Sequence, residues 1–138
     1  MSQPKASKRV RDPVHGLIVF AADSAVDELA WRLLGTREMQ RLRRIRQLGV
    51  SEFTFPGATH SRLSHSIGVF HCARQLVTII KREIASEFDQ HQADIAVLAA
   101  LLHDVGHGPF SHAFEGVQRD REISKKHEQP ITAIRRLA

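Results

Sequence analysis

Cysteine is almost missing from this chain: Cys72 is the only one among 138 residues. That excludes an internal disulfide and a cysteine-built zinc cage, and it suits a reducing, cytoplasmic setting. Long apolar runs are missing too. The longest, Ile95 to Leu102, falls far short of the roughly 18 to 20 residues that cross a bilayer. The opening "MSQPKASKRVRD" has no apolar stretch of the kind a secretory signal requires. Aromatic residues are only 6% of the chain, so few rings are available to stack on nucleic-acid bases. Neither an internal repeat nor a low-complexity segment is present.

What remains is an ordinary globular composition, with 42% hydrophobic and 25% charged residues, sufficient for one domain or part of a larger one. The formal charge is +5 with nine histidines counted as neutral. Such a surface attracts anions, which suits phosphorylated substrates or nucleic acid, although a solvated basic face has the same composition.

Residues 1–10 read as a flexible basic tail and residues 11–138 as a domain that is incomplete at its C-terminal end, because Ile131, Ile134 and Leu137 keep a helical rhythm with no stop signal after them. The expected class is all-α with a small β-hairpin near the N-terminus. "DPVHG" is a turn, and "LIVF" at 17–20 a short strand, whose expected partner is Glu52–Phe55. Asp23 or Ser24 caps a helix through Leu34, ended by Gly35. Thr36 caps a second helix, "REMQRLRRIRQL", with Met39, Leu42, Ile45 and Leu48 as its apolar stripe. A long helix over 61–85 carries a continuous stripe from Leu63 through Ile67, Phe70, Ala73, Val77 and Ile80 to Ile84. The helix over 92–105 is apolar almost all round, so the spacing predicts the most buried element of the chain, stopped by a left-handed cap at Gly106.

The chemistry gathers where that last helix ends, in "LLHDVGHGPFSH" at 101–112. His103 and Asp104 bring an imidazole and a carboxylate to the helix terminus, where backbone carbonyls already create negative potential. Burying an ionised carboxylate without a cation or several donors costs several kcal/mol. A divalent cation would relieve that cost, with His65, one turn into the long helix, as the candidate third ligand. Mixed imidazole and carboxylate ligation suits manganese, iron, magnesium, zinc or nickel, and spacing does not choose among them. Each residue also has an ordinary reading: His65 as a hydrogen-bonded core histidine, and Asp104 as a helix-end carboxylate paired with an arginine. His15 and His60 read as loop-fixing hydrogen-bond partners, and His71 and His91 as exposed.

The segments "DPVHG", "QRLRRIRQLG", "FPGATHSRLSHSIGV", "LLHDVGHGPFSH" and "KHEQ" carry a resemblance. In this order they resemble the HD-domain metal-dependent phosphohydrolases, and more closely the deoxynucleoside triphosphate triphosphohydrolases of that superfamily, including the sterile-alpha-motif HD enzymes and bacterial relatives. The resemblance implies that His65, His103 and Asp104 are metal ligands, and that the reaction splits a deoxynucleoside triphosphate at its α-phosphorus into deoxynucleoside and triphosphate. It implies that Arg62 reaches the phosphates, that His107, His112 or His127 protonates the leaving oxygen, and that Glu128 orients His127. Gln47 and Leu48 match positions that line the sugar and exclude a 2′-hydroxyl.

The chain also departs from the family pattern. The family's fourth ligand is an aspartate further along, and the only aspartate after Asp104 is Asp120, which precedes "KHEQ". The chain is then a fragment, or a second chain or homo-oligomer completes the site, or three ligands and solvent hold the metal; the abrupt C-terminal end favours the fragment. Gln40 and Arg43 match a guanine-nucleotide activation site of some members, whereas Gly35, Arg11 and Leu17 do not. Two other readings stand beside this one: a nuclease or phosphodiesterase helped by Arg37, Arg41, Arg43, Arg44 and Arg46, and a non-catalytic nucleotide-binding module.

Overall fold

A computed structural model of the chain describes residues 6–110. Its elements run β1 (Lys8–Asp12), β2 (Gly16–Phe20), α1 (Ala25–Leu34), α2 (Arg37–Arg41), α3 (Arg62–Glu83) and α4 (Gln90–Leu102), with 3-10 turns at Leu42–Arg44 and Ser51–Phe53. Among the described residues the fold is mostly helical with one two-stranded antiparallel hairpin, as the patterning predicts. Among the described residues no helix is long and apolar enough to cross a membrane. The chain divides into two compact units, one holding 6–36 and 67–101, the other 37–66 and 102–110 among the described residues.

In the first unit, β1 pairs with β2 from Lys8↔Phe20 to Asp12↔Gly16. The strand therefore takes up the last three residues of the stretch read as a tail, and it replaces Glu52–Phe55 as the partner of "LIVF". Patterning could not show this, because "KRVRD" has Val10 as its single apolar residue. The turn between the strands is fixed by Asp12, whose Oδ1 accepts the backbone N–H groups of Val14 at 2.8 Å and His15 at 2.9 Å. Gly16 closes it at φ +72°, a left-handed conformation that glycine adopts without a Cβ penalty.

Ser24 caps α1, its Oγ accepting the N–H of Asp27 at 3.2 Å. The Asp27 carboxylate, only 5% exposed, also accepts the N–H of Ala21 at 2.8 Å and both of its oxygens lie within 2.9 Å of Arg74 Nη1. Arg74 in turn lies 4.8 Å over the Phe70 ring, and Phe70 stacks on Phe20 at 5.3 Å. This ion pair therefore ties hairpin, α1 and α3 together inside the unit. His71, expected to be exposed, is half-buried with its ring 5.3 Å from that of His15. A Cβ on Gly68 would fall 2.9 Å from His15 Nε2, so the imidazole approaches α3 closely only because that position is glycine.

The stripe on α3 is buried in its first half and open in its second. Ile67 and Phe70 are core, whereas Ile80 and Ile84 are 38% and 46% exposed. Helix α4 is likewise not the most buried element: Ala93, Val97 and Leu101 are covered, while Ile95 is 48% exposed. A helix apolar on every side has no amphipathic preference for which face to bury, and here only one is packed.

In the second unit, Met39, Leu42 and Ile45 are buried as the stripe predicts, but the helix does not continue to Leu48. It passes into a 3-10 turn, and Ile45 is extended, because long-range partners take over its backbone. The Ile45 carbonyl accepts the N–H of Arg62 at 2.9 Å and the Gln47 N–H donates to the His60 carbonyl at 3.0 Å. Leu48 is 49% exposed. "SEFTF" forms a 3-10 turn with local bonds, Phe55 N–H donating to the Ser51 carbonyl at 2.8 Å, so it needs no strand partner.

Candidate metal centre

Three local features of the second unit bring the candidate ligands together. Ser61 caps α3, its Oγ accepting the N–H of Ser64 at 3.2 Å, which sets Arg62 and His65 on the first turn. Helix α4 stops at Leu102, three residues earlier than its pattern predicts. His103 and Asp104 therefore occupy the turn that follows, where Val105 N–H donates to the Leu102 carbonyl at 3.0 Å and His107 N–H to the Asp104 carbonyl at 3.1 Å. These tight bonds end the helix, and Gly106 is not left-handed.

His65 Nε2 and His103 Nε2 stand 3.2 Å apart. Asp104 Oδ2 lies 4.0 Å from His65 Nε2, and Oδ1 lies 3.4 Å from His103 Nε2. Two ligand bonds of about 2.1 Å can bridge atoms up to about 4.2 Å apart, so the carboxylate reaches each imidazole's range through one oxygen or the other. One ligand atom from each residue lies within 4.8 Å of the others. Two imidazoles and a carboxylate are a borderline-to-hard donor set that fits a divalent first-row ion or magnesium.

A buried arginine holds the carboxylate. Arg62 Nη1 is 2.8 Å from Asp104 Oδ2, and the two residues are 2% and 3% exposed. The resemblance casts Arg62 as a phosphate donor; in this structure its guanidinium pairs with Asp104 Oδ2 and leaves Oδ1 beside His103. Oδ1 also lies 3.4 Å from His107 Nε2, so a fifth predicted residue joins the cluster. Gln47 is half-buried and Leu48 exposed on the segment following the 3-10 turn. His112, His127 and Glu128 lie outside the described residues. The sequence places Arg41 only among the arginines of the nuclease reading and does not show its contact with the His107 carbonyl, to which Nη1 and Nη2 donate at 2.8 and 2.7 Å; no local spacing signals a contact across 66 positions.

Burial pushes the His65 imidazole below its ordinary value of 6.5, opposed by Asp104 and reinforced by His103, His60 and Arg62. The folded chain thus disfavours protonated His65 relative to the unfolded chain, and the sign follows directly: its contribution to stability is lost as the pH falls below about 6.5 and the unfolded chain takes up the proton first. In metal-free protein the His65 Hε1 resonance is expected to titrate with a midpoint below 6.5; a midpoint at or above that value overturns the assignment of burial as the dominant effect.

A model of the HD domain matches residues 62–136. The chain is 48% identical over 110 residues to the protein of Bacillus subtilis described as "Uncharacterized protein YwfO", covering 80% of this chain and 24% of that one. It is 47% identical over 111 residues to the deoxynucleoside triphosphate triphosphohydrolase SAMHD1 of Gallus gallus, covering 79% and 17%. To the Homo sapiens protein of the same name it is 39% identical over 110 residues, again covering 79% and 17%. The chain thus spans about a fifth of the length of the curated relatives it matches.

Proposed function

This chain belongs to the HD-domain family, and on that footing we propose that it serves in a metal-dependent phosphohydrolase that splits deoxynucleoside triphosphates into deoxynucleoside and inorganic triphosphate. The observation that carries the reading is the convergence of His65, His103 and Asp104 within one compact unit. The substrate class rests on the printed activity of the SAMHD1 relatives.

His65, His103 and Asp104 would hold a manganese, iron, magnesium, zinc or nickel ion. Such an ion, when bound, neutralises phosphate charge and supplies an activated water. The chain's own groups do the rest. Arg62 pairs with the Asp104 carboxylate and fixes it in a site where an unpaired charge would be costly. His107 stands beside the cluster as an acid for the leaving 5′ oxygen, with His112 and His127 as the other donors of the same type and Glu128 as a partner for His127. Gln47 and Leu48 would line the sugar. The fourth ligand would come from a longer form of the protein or from a second chain in a homo-oligomer, and the lone Cys72 fits a reducing, cytoplasmic compartment.

Of the five arginines that would help a nuclease grip a backbone, three are already engaged. Arg41 holds the His107 carbonyl, Arg43 Nε donates to Gln40 Oε1 at 2.6 Å, and Arg46 contacts the Thr59 carbonyl and Glu52. Incubation with manganese and each deoxynucleoside triphosphate is expected to give nucleoside and triphosphate by chromatography, and a separate incubation with single-stranded DNA to leave the DNA intact. Shortened DNA would replace the proposal with a nuclease, and tight nucleotide binding without turnover would replace it with a binding module.

A further inference from the structure

We propose that Arg41 is a positioning residue whose guanidinium fixes the turn that presents His107 to Asp104. The inference deepens the proposed function and rests on it for its kinetic consequences alone. Arg41 is the last residue of α2, directly followed by the 3-10 turn Leu42–Arg44, and its side chain is exposed. Both terminal nitrogens converge on one acceptor, the carbonyl oxygen of His107, at 2.8 and 2.7 Å. These are charge-assisted bonds, stronger than those between neutral groups.

The turn needs such a restraint. Residues 106–110 read Gly-His-Gly-Pro-Phe, two glycines that give the backbone wide freedom and a proline that removes a donor. The segment ends with Phe110 at φ 65°. A non-glycine residue held there is strained and persists only where its surroundings impose it. The Phe110 side chain is 61% exposed, so burial of the ring does not offset the strain. Arg41 restrains the backbone of this turn at His107, the residue whose Nε2 lies 3.4 Å from Asp104 Oδ1. A helix-end arginine that composition alone assigns to a basic face is in this way committed to shaping the site.

The test uses the full chain as Arg41→Ala and Arg41→Lys. Lysine keeps the charge but lacks the planar fork that lets two nitrogens share one acceptor. In metal-free protein, backbone amide shifts should change at residues 106, 107, 108 and 110 in both variants while those of the N-terminal hairpin stay in place. Manganese uptake should be unchanged. On deoxynucleoside triphosphate, kcat should fall by about tenfold to a hundredfold for Arg41→Ala, with KM within about threefold of the parent. Millimolar guanidinium should restore part of the lost kcat in Arg41→Ala and none in Arg41→Lys. Unchanged turn amides, or an undiminished kcat in an active protein, overturn the proposal. If the parent chain hydrolyses nothing, turnover by this chain on its own is excluded, and the amide shifts still decide the role of Arg41.

Discussion

His103→Ala is expected to abolish stoichiometric divalent-metal binding while leaving the chain folded. Loss of a group that merely orients a ligand already weakens metal sites by about 10- to 100-fold, so loss of a ligand itself should cost about 100-fold or more. His103 supplies the nitrogen 3.2 Å from His65 Nε2, and no rotation of the Asp104 carboxylate replaces it. The side chain is 38% exposed, so its truncation leaves no large cavity, and the unfolding free energy should shift by no more than about 1 kcal/mol. Titration calorimetry with manganese and urea unfolding of the same sample read the two effects separately. Stoichiometric metal held at parental affinity would remove His103 from the site and leave two groups too few to define one.

Arg62→Ala should produce the largest loss of stability. It strips the guanidinium from a carboxylate that is 3% exposed, and an orphaned buried charge of this kind costs about 3–5 kcal/mol. The lower end applies here, because His103 Nε2 and His107 Nε2 each lie 3.4 Å from the other oxygen of Asp104. Combining Arg62→Ala with Asp104→Asn should recover part of the loss, since the charge that needed a partner is then gone. A divalent ion should also raise the stability of Arg62→Ala, by about 2.7 kcal/mol at a hundredfold excess over its dissociation constant. Urea midpoints for the four proteins of this cycle check the prediction. An Arg62→Ala midpoint indistinguishable from the parent's would mean that the pair does not hold the carboxylate, and would return Arg62 to the phosphate-binding role that the resemblance implies.

The double role open to Arg62 shows how far spacing can go. "RLSH" at 62–65 places Arg62 and His65 one helical turn apart, and that much is set by local geometry. Whether the guanidinium points to a phosphate or to Asp104 depends on a residue 42 positions later in the chain. Arg41 presents the same difficulty more sharply, since its acceptor is a backbone carbonyl, a group every residue carries and no sequence pattern marks.

Elements closed by neighbouring residues were thus determined by the sequence alone. The Ser24 cap, the Asp12–Gly16 turn and the start of α3 at Ser61 each depend on hydrogen bonds spanning a few residues, and the pairing of His103 with Asp104 is a matter of adjacency. Tertiary structure decided the rest: β1 pairs through backbone groups that charged side chains do not conceal, "REMQRLRRIRQL" leaves the helix where Ile45 and Gln47 find partners at Arg62 and His60, and α4 buries one apolar face of several. In each of those cases more than one local conformation satisfied the segment's own preferences, and the backbone partner or packed face supplied by a distant part of the chain selected among them.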